Sequence, residues 1–205
     1  MIQGRVDPEK HHRRSIRLKG YDYTQPGAYF VTVCTQNRAC LFGTVADGEM
    51  QLNNPGQIAK AAWDELPARF PSVRLDAFIV MPNHVHGIII VGAQFIAPQK
   101  TPPTIVGAQF IAPSDGFGAT NQGVMNHAPT LGNIVRAYKA ASTRSIRQAG
   151  TPDFAWQRNY YEHVIRDEES LDRIRQYILD NPARWAFDHE NPAATNSESE
   201  DAWRD

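Results

Sequence analysis

The chain has 205 residues, 41 % of them hydrophobic, with 21 Lys+Arg against 22 Asp+Glu and a formal net charge of −1. That is enough apolar material for one packed core, and at roughly 100–200 residues per domain one domain with appendages is expected. Two cysteines, Cys34 and Cys40, exclude a disulfide-built secreted scaffold; the start lacks the apolar stretch of a signal peptide, and no apolar run approaches the ~18 residues of a membrane helix, so a soluble, cytoplasmic protein is expected.

In chain order, residues 1–20 form a basic arm with Arg5, Lys10, Arg13, Arg14, Arg17 and Lys19. Tyr29–Gln36 alternates aromatic and β-branched residues and reads as a strand, with Cys34 as a small core residue. Leu41–Leu52 reads as a hairpin centred on Asp47-Gly48. Asn54-Pro55 opens a helix to about Leu66, with Pro67 and Pro71 at its end. Arg74–Val80 and Val85–Val91 are apolar strands joined by Met81-Pro82-Asn83. Residues 92–129, rich in Gly, Pro, Asn and Gln, read as a long flexible insertion. The nonapeptide IVGAQFIAP occurs at 90–98, running from the preceding strand into this region, and again at 105–113, a period too short and copies too few for a solenoid. Thr130–Gln148 is a helix, Tyr161–Ile165 a short strand, and Glu168–Asn181 a helix capped by Asp167 and stopped by Pro182. This order predicts an α+β domain over 21–187 with a mostly antiparallel sheet flanked by helices.

Charge is uneven along this order. Residues 188–205 hold six acids and one base, which leaves residues 1–187 at +4. The stretch 188–205 lacks apolar periodicity and reads as an acidic, disordered tail, either solubilising or competing with nucleic acid for a basic surface. At ~100° per residue the 130–148 helix puts Arg136, Lys139, Arg144 and Arg147 opposite its apolar side, and it contains no acid. Intrahelical ion pairs therefore cannot account for that face. It is either an ordinary solvated face or one that tracks a polyanion.

The chemistry-bearing segment is Met81-Pro82-Asn83-His84-Val85-His86. Strand side chains alternate, so His84 and His86 share a face and both can reach one metal ion. Two ligands do not complete a site, and a pair of satisfied polar residues is the alternative. Gly87-Ile88 rules out an extended His-x-His-x-Asp-His hydrolase signature. In the last helix Tyr177 and Asn181 are i and i+4 on one face, beside Ile174 and Ile178. They are either a core-edge aromatic and a helix-end residue, or parts of a site.

Taken together, Met-Pro-Asn-His-Val-His at 81–86, the run Phe154–Glu168 containing Gln-Arg-Asn-Tyr-Tyr-Glu-His, and Gln-Tyr-Ile-Leu-Asp-Asn-Pro at 176–182 resemble the REP-associated tyrosine transposases. These are a branch of the single-tyrosine His-hydrophobe-His (HUH) transposases. Arg13-Arg14-Ser15 and Ala28-Tyr29-Phe30-Val31-Thr32 agree, and the resemblance covers about 11–187 outside the insertion. It implies an RRM- or ferredoxin-like antiparallel sheet of four to five strands and a divalent ion, Mg²⁺ or Mn²⁺, on His84, His86 and Asn181. It implies Tyr177 as the nucleophile that forms a 5′-phosphotyrosine link with single-stranded DNA carrying a REP-like hairpin. Arg13, Arg14, Arg17, Arg136, Lys139, Arg144, Arg147 and Arg158 would hold the DNA. Tyr160, Tyr161 and His163 would be structural. A catalytically inactive RRM-like nucleic-acid-binding module is the other reading, and a metal-dependent phosphodiesterase using water a third. Monomer and homodimer both remain open.

Overall fold

The computed structural model describes residues 26–92 and 129–194. The basic arm with Arg13, Arg14 and Arg17, nearly all of the insertion, and residues 195–205 lie outside them.

A four-stranded antiparallel sheet is built from β1 (Gly27–Cys34), β4 (Val73–Val80), β5 (His84–Val91) and β6 (Tyr161–Ile165), in the order β4-β5-β1-β6. Counted along the chain these are the second, third, first and fourth sheet strands. Helix α1 (Asn54–Asp64) precedes the β4–β5 pair and α3 (Leu131–Gln148) follows it. This is the split βαββαβ arrangement expected for a ferredoxin-like domain. A four-residue helix, α2 (Leu66–Arg69), follows α1. Strands β2 (Gly43–Ala46) and β3 (Glu49–Leu52) form a separate hairpin. Asp47 and Gly48 both have positive φ, 53° and 76°, which is the turn geometry that an Asp-Gly pair favours.

Local chemistry sets the helix ends. Asn53 accepts from Gly56 N at 3.0 Å, Thr130 from Asn133 N at 3.3 Å and Asp167 from Ser170 N at 2.7 Å. Each satisfies a first-turn N–H that has no helical partner.

The sheet's alternation sorts two cores. One face turns Tyr29, Val31, Val33, Val85, Ile89 and Val91 toward α1 and α3. On this side Trp63 of α1 lies over Gly87, its ring stacked on Phe78 at 4.4 Å. A Cβ at Gly87 would meet the Trp63 ring at 2.4 Å, so the glycine gives the indole its place. The other face turns Ala28, Phe30, Ile88 and Ile90 toward Leu171, Ile174 and Ile178 of α4 (Glu168–Asp180). A register irregularity in β4 between Leu75 and Phe78 holds Asp76. Asp76 receives Arg175 of α4 through Nε at 2.8 Å and Nη2 at 2.7 Å. That hydrogen-bonded guanidinium holds the Asp76 carboxyl below its usual range. The pair fixes α4 in rotation two residues before Tyr177.

After α4 the chain does not become a tail at 188. A 3-10 turn, Trp185–Phe187, folds it back, and Asp188 and Glu190 are both 7 % exposed. The expectation of disorder from 188 onward is corrected as far as Ala194. Polarity alone suggested a tail, but Glu190 is held by Arg38 and by Asn83, and Asp188 is buried beside His84, partners that composition does not reveal.

Candidate metal and tyrosine site

His84 and His86 begin β5 on the α4 face, 0 % and 3 % exposed. Burial comes first in lowering both histidines. It takes His84 to about 3 with help from Arg38, and puts His86 well below the ordinary value with help from His84, against Asp188. Both rings are therefore neutral at pH 7, the state in which imidazole nitrogen binds metal.

Asn83, fully buried, orients His84. Its Nδ2 donates to the carbonyls of Arg38 at 3.1 Å and Glu190 at 2.6 Å, which fixes the amide. Its Oδ1 must then accept from His84 Nδ1–H at 2.8 Å, so the neutral ring offers a bare Nε2. Opposite His86 on β1 is Thr32, its Oγ1 2.9 Å from His86 Nδ1. A hydroxyl can donate or accept, so Thr32 supports either tautomer of His86.

The two Nε2 atoms lie 3.0 Å apart. Two donors each ~2.1 Å from one octahedral cation, at right angles, would be ~3.0 Å apart. Asp188 Oδ2 is 3.9 Å from His84 Nε2. With His84 neutral this approach is not an ion pair, and Oδ2 is buried with no hydrogen-bond partner. Asp188 Oδ1 accepts from Glu190 N at 2.6 Å, which orients the carboxylate. One ligand atom from each of His84, His86 and Asp188 lies within 4.8 Å of the others. Two imidazoles and an orphaned carboxylate fit a divalent cation.

The Tyr177 ring, on α4, is 5.3 Å from that of His86 and 6.1 Å from that of Phe30. Two motifs ninety residues apart in sequence thus meet. Asn181 caps α4 one turn later, 2 % exposed, with Oδ1 buried and unpartnered. Tyr161 packs edge-on to Phe30 at 6.2 Å, and Tyr160 lies against Lys139, 5.5 Å from its ring centroid. His163 pairs with Phe30 in the β1–β6 register.

Sequence reasoning missed Asp188 as a site residue. The available signal was Trp185-Ala186-Phe187 immediately before it, since aromatics that near a supposed tail imply continued packing; Trp185 sits 6.0 Å from the His84 ring.

The basic residues do not join this centre. Arg136, Lys139, Arg144, Arg147 and Arg158 line a groove of about 700 Å³ between α3 and the 155–158 segment, and α3 covers the other face of the sheet. Lys139 is occupied. Its Nζ donates to the carbonyls of Gln157, Arg158 and Asn159 at 2.9, 3.4 and 2.9 Å, using all three N–H bonds. Burial lowers it to about 8. Arg147 gives Nε to Phe154 O at 2.9 Å. Arg136, Arg144 and Arg158 form no ion pair among the described residues. No described helix is long and apolar enough to cross a membrane.

No family model matches the chain. An uncharacterized protein of Haemophilus influenzae is 44 % identical over 178 residues, covering 87 % of this chain and 92 % of that protein. The chain belongs to the same family as that protein. Among solved structures it is similar to a REP-associated tyrosine transposase bound to a REP hairpin, with TM-score 0.47 and 19 % identity over 78 % of this chain and 68 % of the other. It is also similar to a putative transposase from Deinococcus radiodurans, with TM-score 0.41 and 18 % identity over 80 % and 95 %.

Proposed function

We propose that the protein is a metal-dependent single-stranded DNA transesterase of the single-tyrosine HUH transposase type, acting on DNA with a hairpin. The observation that carries this reading is the placement of the Tyr177 ring against His86, in a buried group whose other members are His84 and Asp188. The motif resemblance at 81–86 and 176–182 supports it independently.

His84, His86 and Asp188 would hold the cation, with Asn181 Oδ1 as a further donor. Imidazole nitrogens in the donor set favour Mn²⁺ over Mg²⁺, which prefers oxygen. When bound, the ion supplies Lewis-acid polarisation of the scissile phosphate and offsets its developing charge. Tyr177 Oη forms a bond to phosphorus while the bond from phosphorus to the 3′ oxygen breaks. The phenol proton passes to water, and the departing oxygen takes up a proton to become a 3′-OH. The phosphodiester energy is kept in the 5′-phosphotyrosine, so another 3′-OH can reverse the step and reseal the strand. Phe30 and the Asp76–Arg175 pair orient Tyr177, while Asn83 and Thr32 orient the histidines. The arginines of the α3 groove hold backbone phosphates.

The test incubates labelled hairpin-bearing single-stranded DNA with the protein and Mn²⁺ and resolves the products on a denaturing gel. A protein-linked band that disappears in Tyr177→Phe, with metal binding retained, is expected. Cleavage that survives Tyr177→Phe would convert the reading to a water-using phosphodiesterase. Binding without cleavage would leave a nucleic-acid-binding module.

A further inference from the structure

A second, smaller pocket of about 210 Å³ opens beside the metal site, between the end of β1, the 157–161 segment and the returning C-terminal stretch. Thr32, Gln157, Asn159, Tyr160, Tyr161 and His189 line it, with Arg38 and Glu190 in one wall. Its volume is below the roughly 300–1,000 Å³ of pockets that enclose a drug-sized ligand, so it suits a single small ring system.

The chemistry of the lining selects the kind of ring. Two phenols and an imidazole offer aromatic surface, and two side-chain amides each offer a donor and an acceptor side by side. The cation in the wall is already matched, since Arg38 Nε lies 2.7 Å from Glu190 Oε2. A carboxylate in the wall disfavours a phosphate. The α3 groove is the converse, with four arginines and no acid in its lining. Unstacked bases are recognised by aromatic stacking and by amide groups on their edges. Gln157 lines both pockets, so a strand held by its phosphates along α3 reaches the second pocket directly. The rim is firmly placed. Lys139 Nζ binds the carbonyls of Gln157, Arg158 and Asn159, and Gln157 N donates to Cys34 O at 2.8 Å. The pocket also borders the chemistry, because the Thr32 that lines it is the partner of His86.

We infer that this pocket holds one unpaired nucleobase of the DNA strand, splayed out next to the phosphate presented to Tyr177. The inference rests on the nucleic-acid reading above and adds where the strand is read. Backbone and base are received in separate pockets joined at Gln157.

The test measures binding by fluorescence anisotropy in EDTA, so that cleavage does not compete. The probes are a short unstructured single-stranded oligodeoxynucleotide and an abasic sugar–phosphate chain of equal length. Wild type should bind the base-bearing chain about tenfold more tightly, a typical gain for a stacked base. The double variant Gln157→Ala/Asn159→Ala, whose fold is checked by its melting curve, should shrink that preference, the aromatic lining being left in place, while keeping its affinity for the abasic chain. Arg136→Gln/Arg144→Gln should weaken both chains alike. Equal binding of the two chains by wild type, or equal weakening of both by the amide variant, overturns the base pocket. A base preference here, together with no Tyr177 adduct in the Mn²⁺ gel assay, sinks the transesterase reading alone. Failure of wild type to bind either chain overturns the base pocket, and failure to bind hairpin-bearing DNA as well sinks the nucleic-acid reading too.

Discussion

Asn83 decides which nitrogen of His84 faces the proposed cation site, held there by its hydrogen bonds to two distant parts of the chain. Partners of this kind are worth roughly 10–100-fold in metal affinity. Thr32→Val keeps the shape and removes the hydroxyl, so Mn²⁺ binding measured by calorimetry should weaken by about that factor. Asp188→Asn should weaken it at least as much, and an unchanged affinity there would remove Asp188 from the ligand set. The histidines also give a pH signature. Both have folded-state values depressed below 6.5. The unfolded chain therefore takes up protons that the folded chain refuses as pH falls below ~6.5. Their contribution to stability is complete above that value and is lost as pH falls toward the folded values, at about 1.4 kcal/mol per pH unit for each ring. Between pH 6.5 and 5 few ordinary carboxylates titrate, so the urea midpoint should drop in that window; a flat midpoint contradicts neutral burial of the pair.

At the scale of elements, periodicity and punctuation carried much of the fold. The Asp47-Gly48 hairpin, the cap at Asp167 and the strand at 161–165 all stand where local rules place them, because each depends on residues within a few positions of itself. The one-face sharing of Tyr177 and Asn181 follows from helix geometry alone. That this face meets His86 does not, since it requires β5 and α4 to dock on one sheet face. Lys139 shows the same limit. Helical spacing placed it on a basic face, but the three carbonyls that engage it belong to another segment. Gly87 is a residue whose purpose only packing explains. Gly87→Ala pushes a methyl into the Trp63 ring and should cost about 1–3 kcal/mol, as overpacking does, read as a lowered melting temperature. An unchanged melting temperature would mean that the indole can move aside freely.

For the whole molecule, the near-zero net charge is an average over unlike parts. The groove of α3 carries arginines without acids, while residues 195–205 carry Glu198, Glu200, Asp201 and Asp205 against Arg204. Deleting 195–205 should raise single-stranded DNA affinity at about 50 mM salt and have less effect at about 200 mM, because screening removes long-range repulsion. Equal affinities at both salts would make that segment a bystander. A cut at 188 instead would take away Asp188 and Glu190, and with them a proposed ligand and a partner of Asn83. The seemingly similar truncations therefore have opposite expected effects.

Strand β5 runs from His84 to Val91, and at ~3.3 Å per residue its two ends are ~23 Å apart. The histidines stand at its beginning, and the chain departs for residues 93–128 from its end, past Gly92 with φ 88°. That exit is at the opposite end of β5 from the histidines. The duplicated nonapeptide thus marks a seam in the architecture. A reporter domain or affinity handle spliced in place of the second copy, 105–113, spares Ile90 and Val91 of β5, which belong to the first copy, and should leave the histidine end of the strand with its geometry.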